Sequence, residues 1–347
     1  MTKFSKQFLS SLLIGLLLAP AAFAKEDSHE LLAKTFQQSD IWTQGPVKLV
    51  AQVQLPKQGG GEVTVEYTVS WAGPEKWRTE WSANGLQQVT VFNNGKLSYL
   101  TNQTAPLLWA LLFESALATS SLGNPAGPFT VAPLDWDKAK LDTSKKKIGS
   151  VDARCMEFGE LKDTLCIDPA TSHLMSADEV FLSYEYSDYV ASGSASYPQS
   201  LKVSFNKQLI VGGKLTVTRG DKFADSLFTA PEKSTTIDLP SCADVDKNFT
   251  APHLNKPITP KMPDEAKKKG EYGVVWVLAN VGQDGSVQKA TMIAGNPDLN
   301  AAATNAVNQY KFTPYMRCGK PAEFQRVVVV PFAPPAQPAN QGVTLGH

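Results

Sequence analysis

Along residues 62–71 apolar and polar side chains alternate without a break. Val63, Val65, Tyr67, Val69 and Trp71 fall on one face, and Glu62, Thr64, Glu66, Thr68 and Ser70 on the other. A period of two is that of an extended chain, so this segment predicts an antiparallel strand with one face on a core or apolar ligand and the other in water. Extended patterns recur at residues 77–81, 88–92 and 97–100, the last two joined by Asn94-Gly95, a pair suited to the positive φ angles of a tight hairpin. Further strands are predicted over 152–158, 164–167, 178–186, 200–205 and 209–218, separated by Gly, Pro, Asp and Ser clusters. Two segments break the period. Leu31, Leu32 and Phe36 predict a short amphipathic helix over 30–36. The run 105–118 favours Leu and Ala over β-branched residues and predicts a buried helix. Residues 25–231 thus read as one large curved antiparallel sheet, half-barrel-like, with helices on one face.

A second pattern fills residues 263–332. Val274, Val275, Trp276, Val277, Leu278 and Val281 make 273–281 apolar on both faces, as expected of a covered central strand. Gln283-Asp284-Gly285-Ser286 supplies a tight turn, and 287–294 returns antiparallel. Asn296 suits a helix N-cap, Pro297 the first helical position and Asp298 the positive end of the helix dipole. Leu299, Ala302, Ala303, Ala306, Val307 and Tyr310, three and four apart, form one apolar stripe, and 323–332 closes the unit with a Val-rich strand. Between the two blocks, residues 232–262 carry Pro240, Pro252, Pro257 and Pro260 and predict a linker without regular structure; the Pro-, Gln- and Gly-rich residues 333–347 predict a disordered tail. The fold class is α+β, a large sheet domain followed by a small β-β-α-β domain.

Pro263 and Ala266, Gly273, Asp284-Gly285 with Val287, Leu299 with Ala302-Ala303 and Ala306-Val307, and Tyr310-Lys311-Phe312-x-Pro314 followed by Gly319-Lys320-Pro321 stand in a spacing that resembles the C-terminal domain of the TonB energy transducers. The resemblance covers about a fifth of the chain. Met262 replaces a usual aromatic and Tyr310 a common Trp. It implies an envelope protein of a diderm bacterium that binds an extended peptide, or an outer-membrane or envelope protein, by strand addition, with Glu323, Gln325, Val327 and Val329 on the pairing edge. The same edge would serve a strand-exchanged homodimer. Pro74-Glu75-Lys76-Trp77-Arg78, followed by a hairpin and a covering helix, resembles the half-barrel of periplasmic lipoprotein carriers. That second resemblance implies an alternative role as a lipid or lipoprotein carrier, with Tyr67, Trp71, Trp77, Trp81, Leu107, Trp109 and Phe113 around an acyl-chain cavity. Packing a core is the commoner fate of such rings.

The N-terminus changes the picture of compartment. Lys3 and Lys6, an apolar run from Leu9 to Leu18 and Ala22-Phe23-Ala24 form the three parts of a cleavable signal, which predicts a periplasmic chain beginning at Lys25. The alternative, an uncleaved inner-membrane anchor, needs ~20 apolar residues, more than this segment offers before Pro20. Export makes disulfides available to the four cysteines. Cys155 and Cys166 lie symmetrically about a polar turn and predict a cross-strand bridge, leaving Cys242 with Cys318.

Lys and Arg balance Asp and Glu at 33 each, so no basic surface for nucleic acid or anionic membrane is expected. Catalytic patterns are missing as well. His29-Glu30 begins like a zinc-protease helix, but Ala33 stands where the second His belongs. No Gly-x-Ser-x-Gly, Walker or Gly-x-Gly-x-x-Gly motif occurs, Asp135 and Asp137 flank Trp136 in a loop, and His173, His253 and His347 are isolated. The sequence therefore predicts a binding or adaptor protein, not an enzyme, with no cofactor and no metal.

Overall fold

A computed structural model describes residues 27–57, 60–83, 85–103, 107–120, 140–158, 163–179, 182–220, 222–239, 254–256, 258–317 and 319–332. The predicted signal, the tail, Asp135, Asp137, His253, Cys242 and Cys318 lie outside them. Helix α1 spans Ser28–Ser39. Strands β1 (Val47–Pro56), β2 (Glu62–Gly73), β3 (Lys76–Ala83), β4 (Leu86–Asn93) and β5 (Lys96–Thr101) lead to helix α2 (Leu108–Ser120). Then follow β6 (Asp142–Ile148), β7 (Val151–Phe158), β8 (Asp163–Asp168), β9 (His173–Asp178), β10 (Leu182–Ser192), β11 (Ala195–Phe205), β12 (Gln208–Arg219) and β13 (Thr235–Asp238).

All of these strands join one curved, open sheet in the order β13-β5-β4-β3-β2-β1-β12-β11-β10-β9-β8-β7-β6, antiparallel throughout. Two meanders meet where β1 pairs with β12, Val47 opposite Arg219 and Gln54 opposite Gly212. The alternation of β2 is realised: Val65, Tyr67, Val69 and Trp71 are buried, and Glu66 is exposed between them. Edge strand β6 carries Lys145, Lys146 and Lys147 in the open, charges that discourage pairing with another chain. Both helices lie on the inner face, where Leu31, Leu32, Leu112, Phe113 and Leu117 join the core formed by the odd-numbered side chains of β1, β2 and β3. Full burial of each such side chain contributes roughly 1.5–3 kcal/mol. Gly213 of β12 lets α2 sit close. A Cβ there would come 2.6 Å from Cε2 of Phe113, so a side chain would push the helix off the sheet.

Cys155 and Cys166 are register partners across β7 and β8 and form the expected disulfide. Other expectations need correction. Residues 178–186 are not one strand: β9 ends at Asp178, β10 starts at Leu182, and the turn between them is closed by Glu179 N–H donating to Leu182 C=O at 2.9 Å. Within the Pro-rich stretch, the β-branched run of β13 pairs with β5, Thr235 opposite Tyr99, because Pro231 and Pro240 flank the run without interrupting it.

The C-terminal module begins with β14 (Leu254–Lys256), helix α3 (Asp264–Lys269), β15 (Gly273–Val281) and β16 (Val287–Ala294). Helix α4 (Pro297–Val307) is capped as predicted, Asn296 Oδ1 accepting from Asp298 N–H at 2.9 Å. Strands β17 (Lys311–Phe312), β18 (Tyr315–Arg317), β19 (Lys320–Ala322) and β20 (Phe324–Phe332) complete it. β14 pairs with β17, again inside the stretch read as linker. The main sheet has the order β16-β15-β20, with α4 on one face against Val275, Val277, Ala279, Val330 and Phe332.

The opposite face of that sheet is not free. Val274, Trp276, Val327 and Val329 pack against the core of the large domain, with Trp276 set edge-on to Phe205 at 5.3 Å. From the β18–β19 hairpin, Arg317 pairs with Glu75 at 3.3 Å and lies over the ring of Phe92 at 4.8 Å. Phe92 itself packs on Trp77 of the inner face at 5.6 Å, so the module sits over the open side of the half-barrel.

Candidate functional site

Among the described residues the last strand is one of the edges where the chain offers unsatisfied backbone. Among the described residues, β20 is hydrogen-bonded on one side only, to β15, from Gly273 opposite Phe332 to Val281 opposite Phe324. Its other side is a sheet edge, and Pro331, which lacks an N–H, is tolerated there for that reason. At the other edge of this sheet, the turn that leads into β16 is tied: Ser286 bridges to Lys311, and Phe312 N–H donates to Gly285 C=O at 2.8 Å. Gly285 allows this approach, since its φ is +82° and a Cβ would strike the Phe312 carbonyl. Lys311 also reaches Asp284 at 3.0 Å; together with Ser286, whose hydroxyl and N–H both donate to it, it holds the Asp284 carboxyl well below the usual carboxylate range.

Of the predicted edge residues, Gln325, Val327 and Val329 lie on β20, and Glu323 is exposed one position before the strand begins. Their side chains share a face that turns inward. Val327 stands opposite Leu278 and Val329 opposite Trp276, both directed at the large domain, while Gln325 Nε2 donates to Asn280 Oδ1 at 3.0 Å. Arg326 is in electrostatic contact with Asp163 and Glu179 of the large domain. Burial raises the Asp163 carboxyl, and Arg326 opposes that rise.

The aromatic set predicted to line a cavity is brought together on the inner face. Tyr67 lies on Trp81 with centroids 4.2 Å apart, Trp109 meets Trp81 edge-on at 5.0 Å, and Phe113 meets Trp81 at 5.7 Å. Trp71 instead packs on Trp42, donating its indole N–H to the Trp42 carbonyl at 2.9 Å. Tyr67, Trp71, Trp81 and Phe113 are at most 1% exposed, so here they fill the half-barrel together with α2.

Sequence reasoning passed over one member of this group. Glu114 of α2 accepts a hydrogen bond from Trp81 Nε1 at 2.7 Å, and burial pushes its carboxyl up to about 7, against the lowering effect of hydrogen bonds from Trp81 and Tyr67. The signal was present, since Glu114 is the one charged residue in α2. His173 is engaged, stacked on Tyr189 at 4.0 Å with Nε2 2.9 Å from Ser196 Oγ. Among the described residues no group of His, Cys, Asp and Glu could hold a metal ion, and no helix is long and apolar enough to cross a membrane.

The module's sheet order, its capped helix and its open last strand are the features against which known families can be set. Residues 259–334 match the family model of the Gram-negative bacterial TonB protein C-terminal domain. This TonB-like module makes up less than a quarter of the chain. No curated protein matches the chain. Solved structures similar to it include a LolA superfamily protein from Nitrosomonas europaea, 12% identical, covering 57% of this chain and 97% of that one with a TM-score of 0.38. Another is a DUF1329 family protein from Desulfovibrio piger, 10% identical, covering 58% and 95%, with a TM-score of 0.40.

Proposed function

We propose that the protein is a periplasmic adaptor whose TonB-like module captures an extended segment of an envelope or outer-membrane protein by strand addition to β20. The observation that carries this reading is the one-sided pairing of β20, which leaves backbone donors and acceptors along one edge. An incoming strand supplies their partners, and its alternate side chains supply selectivity. The match of residues 259–334 to the TonB C-terminal family model supports the same reading. Energy transfer is not part of the proposal, and neither is catalysis.

Strand addition has a signature that simple adhesion lacks. A bound peptide uses only every second amide toward β20, so N-methylation of one alternate set should abolish binding and methylation of the other should leave it nearly intact. The test is titration of the full mature chain with receptor-derived peptides carrying either set, followed by amide shifts across residues 324–332. Equal binding of the two sets, or no shift along β20 at millimolar peptide, would remove the proposal.

A second reading rests on the interior. If α2 moved away, Tyr67 and Trp81 on the sheet and Trp109 and Phe113 on the helix would face each other across an apolar trough, and such a trough would take the acyl chains of a lipid or lipoprotein. Native mass spectrometry of protein purified from periplasm should then show a co-purified acyl species. A single ligand-free mass from that source would count against it.

A further inference from the structure

The outer face of the sheet carries a feature that neither reading uses. β12 lies beside β1, and β13 lies beside β5, so the chain between them has to travel from one side of the first meander to the other. It does so across the outer face as a strap that includes the short 3-10 helix Asp225–Phe228. Phe228 pins it, buried against Val89 and Val91, with its carbonyl accepting from Asn93 Nδ2 at 3.2 Å. Lys76 holds it a second time through Asp225 at 2.5 Å, and Phe223 packs edge-on against Phe228 at 5.8 Å.

Between strap and sheet remains a groove of about 540 Å³, the size of a site for a small organic molecule. Its floor is made by even-numbered positions of β1, β2 and β3, where Ser70 faces both Lys48 and Arg78 in register and Thr68 faces Glu80. Ser70 is 5% exposed although it belongs to the polar face of its strand, because the groove is roofed by Phe223, Ala224 and Leu227.

The charges decide the ligand class. Arg78 and Glu80 neutralise each other at 2.8 Å, while Glu66, which accepts from the neutral amide of Gln52 at 2.8 Å, keeps its charge and offsets one of the two remaining lysines, so the lining is left net positive. Lys48 and Lys222 line the groove with no ion pair among the described residues. A groove with hydroxyls below, phenyl and isobutyl groups above, and two uncommitted ammonium groups at its sides favours an anionic head joined to an apolar body.

We infer that the groove beneath the strap 222–228 is a binding site for a small organic anion with an apolar tail, held through Lys48 and Lys222. The test uses the full chain and decanoate below its micelle concentration, with decyltrimethylammonium as the cationic counterpart. Saturable amide shifts should appear at residues 66–70, 78–82 and 222–227 with decanoate. Lys48→Gln/Lys222→Gln should weaken binding by about tenfold or more, whereas Lys48→Arg/Lys222→Arg should retain it. Circular dichroism and melting temperature confirm that the variants fold, because both side chains are at the surface. The inference is overturned if decanoate shifts none of these residues, if it shifts instead the inner-face residues Trp81 and Glu114, if the ammonium compound binds as tightly, or if the Gln pair binds like the parent.

Discussion

Glu114→Gln should change how the stability of the large domain depends on pH. The Glu114 carboxyl sits among Tyr67, Trp81, Trp109 and Phe113 and is raised by burial from 4.5 to about 7. Between those values the folded protein keeps a proton that the unfolded chain has released, so stability falls as pH rises through this window and is level on either side of it. The full shift corresponds to about 3 kcal/mol; the residue is partly open to solvent, which brings the expected loss nearer about 2 kcal/mol. Gln has the same shape, keeps an oxygen for Trp81 Nε1 and does not titrate. Urea midpoints followed by near-ultraviolet circular dichroism at pH 5 and pH 8 measure the effect. The variant should match the parent at pH 5 within about 0.5 kcal/mol and exceed it by about 2 kcal/mol at pH 8. Parallel pH curves for the two proteins would show that the carboxyl is solvated and that the packing of α2 described here is wrong.

Four further substitutions probe separate parts of the argument. Gly213→Val places methyl groups where Phe113 now lies 2.6 Å from the Cβ position, and should cost about 2 kcal/mol, read as a lowered melting temperature. Converting both Cys155 and Cys166 to Ser opens a bridge between residues 11 apart, for which loop entropy gives about 3 kcal/mol, measurable as a shift in urea midpoint against the oxidised parent. Asn296→Ala removes the cap of α4 and should cost about 1 kcal/mol, seen as faster amide exchange in its first turn. Arg317→Ala removes both the Glu75 pair and the contact with Phe92, and should weaken docking of the module by about 2 kcal/mol, read as faster proteolysis between the two domains.

Local patterns were legible where one face of an element is buried and the other wet. β2, the Asn94-Gly95 hairpin, α2 and the capped α4 all follow from spacing and capping chemistry. β1 alternates equally well, with Val47, Leu49, Ala51 and Val53 buried and Leu55 packed on the same core; only Val50, on its other face, blurs the period. β6 gives no apolar signal at all, since an edge strand of exposed lysines is held by backbone pairing with β7 and not by burial. The strap and its groove depend on which strands become neighbours. That is set by long-range pairing, β12 with β1 and β13 with β5, and no local window contains it. Glu114 was visible as a lone acid in an apolar helix, but its partners Trp81 and Tyr67 are more than thirty residues away.

The docking of the module bears on how strand addition would operate. Because Val327 and Val329 already face the large domain, an incoming strand beside β20 extends a sheet whose two faces differ: one continues the α4 side, on which Arg326 stands opposite Ala279, and the other the side packed on the large domain. From the edge of β20 Arg326 interacts with Asp163 and Glu179 of the large domain, so side chains of an incoming strand that come near these two carboxyls should be favoured when basic. A free module would lack this preference. Replacing Asp163 and Glu179 together by Asn and Gln should accordingly weaken peptides that carry Lys or Arg at alternate positions and leave neutral peptides of the same length unchanged. Equal weakening of both would mean that the large domain holds the module in place without reading what it binds.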